Sequence, residues 1–315
     1  VTATVNGHSQ TVATTFVADS SSADIPAGSL TVTTDHAIAN GTAINAVQAV
    51  VTDAHGNPVA GQLVNFTADN NASITIVTGT TGADGIATAT LTSTTAGTST
   101  VTATVNGHSQ TVATTFVAVP AITGVSVNGA TFAVGDGFPK TGFTGAEFAL
   151  NVTGAASDYT WSNGGNAGTT VNSSGLVKFI AKGDSSPVTI TATSKWGGET
   201  LTYTFAVNSW FISNGSNTKS RSAASTWCTN QGMALPTRLQ LSSGTRQAGS
   251  DALWSAWGNM GNYSNAGFPI NPDHYYWTSE TAYASDMSFL VSLSTAAVAS
   301  AYNTSPNLFA CRQGL

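Results

Sequence analysis

The stretch NPDHYYWTSE, residues 271–280, gathers two carboxylates, an imidazole, an amide and three aromatic rings into ten positions. Three chemistries could use such groups. A calcium site needs roughly six to eight oxygen ligands, several of them carboxylates. Asn271 and Asp273 could begin such a set, but only Glu280 and Asp286 lie nearby in sequence, so no metal is expected. Acid–base catalysis would rest on His274, the single histidine of the last third, and the chain has no GxSxG, no HExxH and no glycine-rich phosphate loop. No enzyme activity and no cofactor are expected. The third chemistry is a non-covalent grip on another surface. Tyr263, Phe268, Asn271, Asp273 and His274 precede an aromatic strand, with Arg246 and the YNTSPN loop (Tyr302, Asn303) as flanks. Loops on a rigid scaffold are where binding residues concentrate, and Arg and Tyr are enriched at binding hot spots. These eight residues are the expected partner-binding set. Trp277 alternates with Tyr275 on one strand face and is expected in the core.

The elements that would hold this loop are mixed. SRSAASTWCTNQGM (220–233) reads as an amphipathic helix behind a serine cap, with Trp227 and Cys228 on its apolar side. ALPTRLQL starts a second helix with Thr237 as cap, and SDALWSAWG offers Leu253, Trp254 and Trp257. YYWTSE, SFLVSL and LFACRQ follow as strands, an α+β order. Cys228 and Cys311 stand near the two ends of this module and read as one disulfide, with a pair of unrelated buried thiols as the alternative. A bridge implies an oxidising compartment.

Charge and aromatics divide the chain. Up to Val207 there are four lysines, no arginine and eleven acids; all four arginines lie beyond. Five of the seven Trp and five of the seven Tyr lie there too, which points to the last third as the binding part. No basic stripe suggests nucleic acid. No apolar run approaches the roughly 20 residues of a membrane-spanning helix, so no membrane insertion is expected. Val1 begins in mid-pattern, and the chain reads as a piece of a longer one.

Self-similarity supplies the rest of the organisation. VTATVNGHSQTVATTFVA occurs at 1–18 and again, unchanged, at 101–118, a period of 100 residues. Alternation through Val101, Ala103 and Val105 into Asn106-Gly107 reads as a half-buried strand ending in a hairpin turn. AVQAVVTDAHGNPVAGQLVNFTAD and GADGIATATLTSTTAGTSTVTATVNG each read as two strands. The expected division is 1–18, closing strands of a preceding repeat; 19–118, a complete repeat; 119–208, a second sandwich with Trp161 of SDYTWSNG in its core; and 209–315, the mixed module. GDGFPKTGFTG (135–145) fits no strand pattern.

VTDAHGNPVAGQLVNFTA and TGADGIATATLTSTTAGTSTVTA resemble the bacterial Ig-like group 1 repeat of the intimin/invasin family, and residues 119–208 resemble a second bacterial Ig-like class. The order WC…GMALPT…LWSAWG…YYWTSE…ACRQ resembles a C-type lectin-like domain. The fold class so implied is mostly β, tandem Ig-like sandwiches followed by an α+β lectin-like domain. Calcium-dependent C-type lectins complete their site with a Trp-Asn-Asp strand, which is absent here. The resemblance implies a calcium-independent cell-surface adhesin, monomeric and anchored in the outer membrane by a part of the chain not present here. It would bind a host or bacterial surface protein or glycan in attachment, aggregation or biofilm. A sugar lectin, or a tip that merely caps the stalk, are the alternatives. Integrin recognition in the family uses an aspartate just after the first lectin-module cysteine; Thr229, Asn230, Gln231 and Gly232 stand there, so that role does not carry over.

Overall fold

A computed structural model describes residues 1–269 and 275–315. It divides into two compact units, Val1–Val119 and Pro120–Leu315.

In the first unit, β-branched residues at alternate positions build two four-stranded sheets. One orders Leu30–Thr34, Asn45–Val50, Ile86–Thr92 and Ser73–Thr78; the other orders Ala37–Ile38, His108–Val117, Gly97–Val105 and Asn65–Ala68. Strict alternation in NAVQAV and IATATLT turns Val47, Ala49, Ala87, Ala89 and Leu91 inward against Val101, Ala103, Phe66 and Phe116. Asn45, fully buried, bridges the layers: its side chain accepts from the Ala37 N–H and donates to the Thr115 carbonyl, each at 2.9 Å. The duplicated sequence folds twice into the same hairpin. Thr2–Val5 pairs with His8–Thr11 around Asn6-Gly7, as Gly97–Val105 pairs with His108–Val117 around Asn106-Gly107. Both turn residues have positive φ in each copy, the conformation that Asn-Gly tolerates best. The first copy forms a two-stranded sheet with Val5 and Phe16 exposed, whereas Val105 and Phe116 are buried in the sandwich.

The second unit opens as another sandwich. Ala130–Phe132, Ile122–Val127, Glu147–Val152, Leu176–Phe179 and Thr169–Val171 form a five-stranded sheet, opposed by Tyr159–Ser162, Val188–Ser194 and Leu201–Phe205. Trp161 faces inward but is half-buried at the rim, its ring against Gly175 and its indole N–H donating 3.0 Å to the Ala156 carbonyl. It packs against the core as expected, but from the rim and only partly enclosed. The mixed module follows with α1 (Arg221–Asn230), α2 (Arg238–Leu241) and α3 (Leu253–Trp257), then the sheet Tyr275–Thr281, Met287–Ser292, Val298–Tyr302. Thr237 caps α2 reciprocally with Gln240, as the sequence suggests. Cys228 and Cys311 are bonded, with Cα atoms 5.3 Å apart, beneath Leu235, Trp277, Leu290 and Phe309. Trp227 covers this cluster edge-on to Phe309.

The sandwich at 120–208 and the module that follows share one core. A buried cluster runs without a break from Val125 through Phe148 and Phe205 to Trp257, Phe268 and Leu308. The 135–145 stretch, irregular by sequence, makes the join. Its short strand Thr141–Gly142 adds in parallel to Ser209–Ser213, which pairs with Ala310–Gly314. Its Phe138 and Phe143 lie edge-on to the fully buried Trp257 at 4.9 and 5.3 Å, and the Trp257 indole donates 2.9 Å to the Thr141 hydroxyl.

Candidate partner-binding surface

The expected binding loop divides when folded. Phe268 is completely buried and Tyr263 nearly so, and both stack on Phe143, with ring centroids 5.2 and 5.0 Å away. They hold the module to the sandwich and are not available to a partner, which corrects the sequence expectation for both. Burial pushes the Tyr263 phenol up. Asn271, Asp273 and His274 fall outside the described residues.

Arg246 also serves the join. Its guanidinium donates to the Val127 and Ala256 carbonyls at 3.3 and 3.2 Å and leans on the Phe132 ring. It occupies the space above Gly258 so closely that a Cβ there would sit 1.6 Å from Nη1. Asn128, at a positive-φ turn of the sandwich, donates to the Trp257 and Asn259 carbonyls at 2.8 and 2.9 Å. Arg246 is therefore a junction residue rather than a surface anchor.

Asn303 and Tyr302 stay near the surface in different roles. Asn303 is a fastener: its side chain accepts from Ser288 and donates to the Ser285 carbonyl, its N–H donates to Asp286, and its carbonyl accepts from Arg221 at the start of α1. Tyr302 is 59% exposed. Register puts it opposite Met287 and puts Phe289 opposite Ser300, so these share one face of the sheet. At one end this face is covered, with Tyr276 opposite Val291 and both buried. At the other end it opens. The Arg238 guanidinium lies 4.0 Å above the Phe289 ring, and Tyr283, 87% exposed, meets the same ring edge-on at 5.5 Å. Glu280 holds Arg238 in place, accepting from its Nε at 3.0 Å and from its backbone N–H at 2.7 Å. Leu239, next on α2, is 73% exposed.

Arg238, Leu239, Tyr283 and Phe289 were not among the residues singled out by sequence. Tyr283 sits alone in a polar loop and Arg238 inside a helix start, so neither has a local pattern to mark it. Their meeting depends on the pairing of the two strands and the placement of α2. The assembly presents aromatic faces, one cation and aliphatic surface, with Glu280 engaged in an ion pair. Among the described residues, no three His, Cys, Asp or Glu side chains converge as a metal site.

Two family models match the chain: the bacterial Ig-like domain (group 1) over residues 27–117, and invasin domain 4 over 123–205. Invasin of Yersinia enterocolitica is 35% identical over 173 residues, covering 53% of this chain and 20% of that protein. The inverse autotransporter adhesin YeeJ of Escherichia coli K12 is 36% identical over 177 residues, covering 54% of this chain and 7% of that protein. The chain thus spans a fifth or less of the length of these curated relatives. Among solved structures, invasin, described as a bacterial integrin-binding protein, aligns over 98% of this chain and 63% of its own with a TM-score of 0.62 at 26% identity. The C-terminal fragment of intimin, solved with the translocated intimin receptor, aligns over 90% of this chain and 98% of its own at TM-score 0.59 and 23% identity, a likeness of fold. With both Ig-like segments matched by family models and the whole architecture shared with invasin, the chain belongs to the intimin/invasin family.

Proposed function

We propose that this chain is the binding end of a cell-surface adhesin, in which an Ig-like segment carries a fused sandwich and lectin-like unit that grips a protein on another cell's surface. The outer membrane would anchor the whole protein, and binding would need neither metal nor covalent chemistry. The division at 19–118, 119–208 and 209–315 describes the sequence modules, with the last two acting as one body. The observation that carries this reading is the open aromatic face formed by Arg238, Tyr283, Phe289 and Tyr302. Tyr and Arg are enriched at interface hot spots, Tyr because its ring buries a large area at low entropic cost and Arg because its planar guanidinium pairs and stacks. One relative named as an adhesin, and one structural neighbour named as integrin-binding, support the general class.

Removing 209–315 would test nothing cleanly, since it would strip the core of 120–208. The test is the intact chain with Tyr283→Ala and Tyr302→Ala together, labelled and titrated onto cultured epithelial cells and onto bacterial cells, in calcium and in chelator. If each ring contributes about 1–2 kcal/mol, binding weakens roughly 30- to 1000-fold on the responsive cell type, equally with and without calcium. Unchanged binding by the double variant refutes this face. Binding lost in chelator refutes the metal-free reading and favours a calcium-dependent lectin.

A further inference from the structure

The lectin-like sheet ends in a strand whose outer side pairs with no other described strand. Val298–Tyr302 is the last strand of its sheet and pairs on one side with Met287–Ser292, without a register shift. The Asn303 N–H donates to the Asp286 carbonyl and the Ser292 N–H to the Ala297 carbonyl. In this register Ala299 and Ala301 bond inward, and Val298, Ser300 and Tyr302 aim their N–H and C=O groups away from the sheet. Among the described residues, the Tyr302 carbonyl alone of these groups meets a backbone partner, the Ser305 N–H at 2.8 Å. Ala299 and Ala301 pack on the cluster of Trp277 and Phe309, which leaves the Val298, Ser300 and Tyr302 side chains on the open face. Several other edges are guarded. Leu308 and Pro236 bond to Tyr275–Thr281, Ala234 bridges to Ala310–Gly314, and bulges bend Leu30–Thr34 and Ser73–Thr78. Val298–Tyr302 has no charge, no proline and no bulge.

We propose that this edge pairs with the same edge of a second copy of the chain, joining two lectin-like sheets into one across a two-fold axis at Ser300. A row of unpaired N–H and C=O groups two residues apart matches another extended backbone, and neither a helix nor a sugar. The segment VASAY complements itself when reversed about its centre. Val298 falls opposite Tyr302, Ala299 opposite Ala301 and Ser300 opposite Ser300, so the residues with outward backbone groups meet one another. A β-branched residue against an aromatic is a favourable cross-strand pair, and no like charges meet. Phe289 stands one strand back from the line of pairing, with Arg238 and Tyr283 on its ring, so the two contacts can coexist. A single strand pair is a small and weak interface, and it gains where many chains are held together on a surface. This goes beyond the grip proposed above, since it needs no foreign protein, and the monomer implied by the resemblance would hold only in dilute solution.

The test is sedimentation equilibrium of the intact chain between about 10 and about 500 µM, alongside Ser300→Lys, Ser300→Glu and an equal mixture of the two variants. Ser300 is half-buried on the open face, and its own N–H and C=O take no part in the pairing with Met287–Ser292. The unaltered chain is expected to shift from one chain toward two as concentration rises. Each charged variant sets two like charges opposite each other on the axis and weakens association roughly 5-fold or more, and the mixture recovers it by placing Lys against Glu. Protection of the 287–292 amides, measured in the same samples, checks that the sheet itself is intact. A chain that stays single up to about 500 µM overturns the proposal, as does a dimer equally stable in both charged variants, or a mixture no more associated than its components. The assay contains no other protein, so a chain that stays single leaves the grip on a foreign surface protein standing.

Discussion

Phe143→Ala tests the shared core most directly. Phe143 lies in the irregular 135–145 stretch, is 1% exposed, and touches Trp257, Tyr263 and Phe268, all from the lectin-like module. Truncating a fully buried Phe costs about 3–5 kcal/mol, the lost transfer energy plus the cavity. In a unit of this size each kcal/mol lowers Tm by roughly 2–4 °C, so the expected fall is about 6–20 °C. Because the cavity opens within one cluster that runs from Val125 to Ala310, the loss must appear in both modules together. Differential scanning calorimetry gives the transition, and hydrogen exchange assigns it: protection of 188–205 in the sandwich and of 287–292 in the module should fall by the same free energy. Two separate transitions, with only one shifted, would refute the single core. So would a shift below about 2 °C, since it would mean that the ring is not buried as described.

The other predictions concern single fasteners. Gly258→Ala should cost about 2–4 kcal/mol in urea unfolding, because the new Cβ meets the Arg246 guanidinium and φ is +77°; Arg246→Ala in the same chain should recover part of that loss. Asp53 accepts from the Asn57 side-chain amide, then from the Asn57, Asp19 and His55 backbone N–H groups, which hold its carboxyl well below 3.8. A lowered folded pKa means that the unfolded chain takes up the proton first. The stabilisation is therefore complete at neutral pH and erodes as pH falls below 3.8 toward the folded value. Asp53→Asn should flatten the dependence of the first unit's urea midpoint between pH 5 and pH 2. Replacing Cys228 and Cys311 by Ser opens a closed loop with a sequence separation of 83, and should cost about 4–5 kcal/mol by the chain-entropy relation, read as a lower urea midpoint for the second unit alone.

Periodicity made most of the strands legible in advance, because alternation and Asn-Gly turns are local signals. The duplicated hairpin, the α1 and α2 caps and the bridge between Cys228 and Cys311 follow from residues a few positions apart or from cysteine arithmetic. What escaped depends on contacts between distant segments. Phe138 and Phe143 sit in a stretch with no period, since they fill a neighbour's core rather than their own sheet's. Tyr263 and Phe268 look like surface anchors in sequence, because an aromatic in a loop has the same local context whether it faces solvent or a partner segment. Trp161 lies shallower than its strand pattern implies, because a strand's inward face does not say whether the opposing layer reaches that far. Tyr283 and Arg238 needed the strand register before they could be seen as neighbours.

The join also decides how the open aromatic face is held. Tyr302 and Phe289 stand on paired strands, and Trp277, on the third strand of that sheet, donates from its indole to the Lys219 carbonyl at 2.8 Å. Lys219 in turn exchanges backbone bonds with Asn307, a few residues before Cys311. The disulfide ties α1 to Ala310–Gly314, that strand pairs with Ser209–Ser213, and Ser209–Ser213 pairs with Thr141–Gly142 of the sandwich. After the Trp277 indole bond, each step is a backbone-paired segment or a covalent bond, with the Trp257 aromatic cluster packed alongside. A load applied to the face therefore reaches the sandwich through buried, paired backbone rather than through a flexible linker. Weakening the join by Phe143→Ala should then loosen the face itself, lowering partner affinity without altering a single contact residue. An unhinged module on an independent sandwich would show no such coupling.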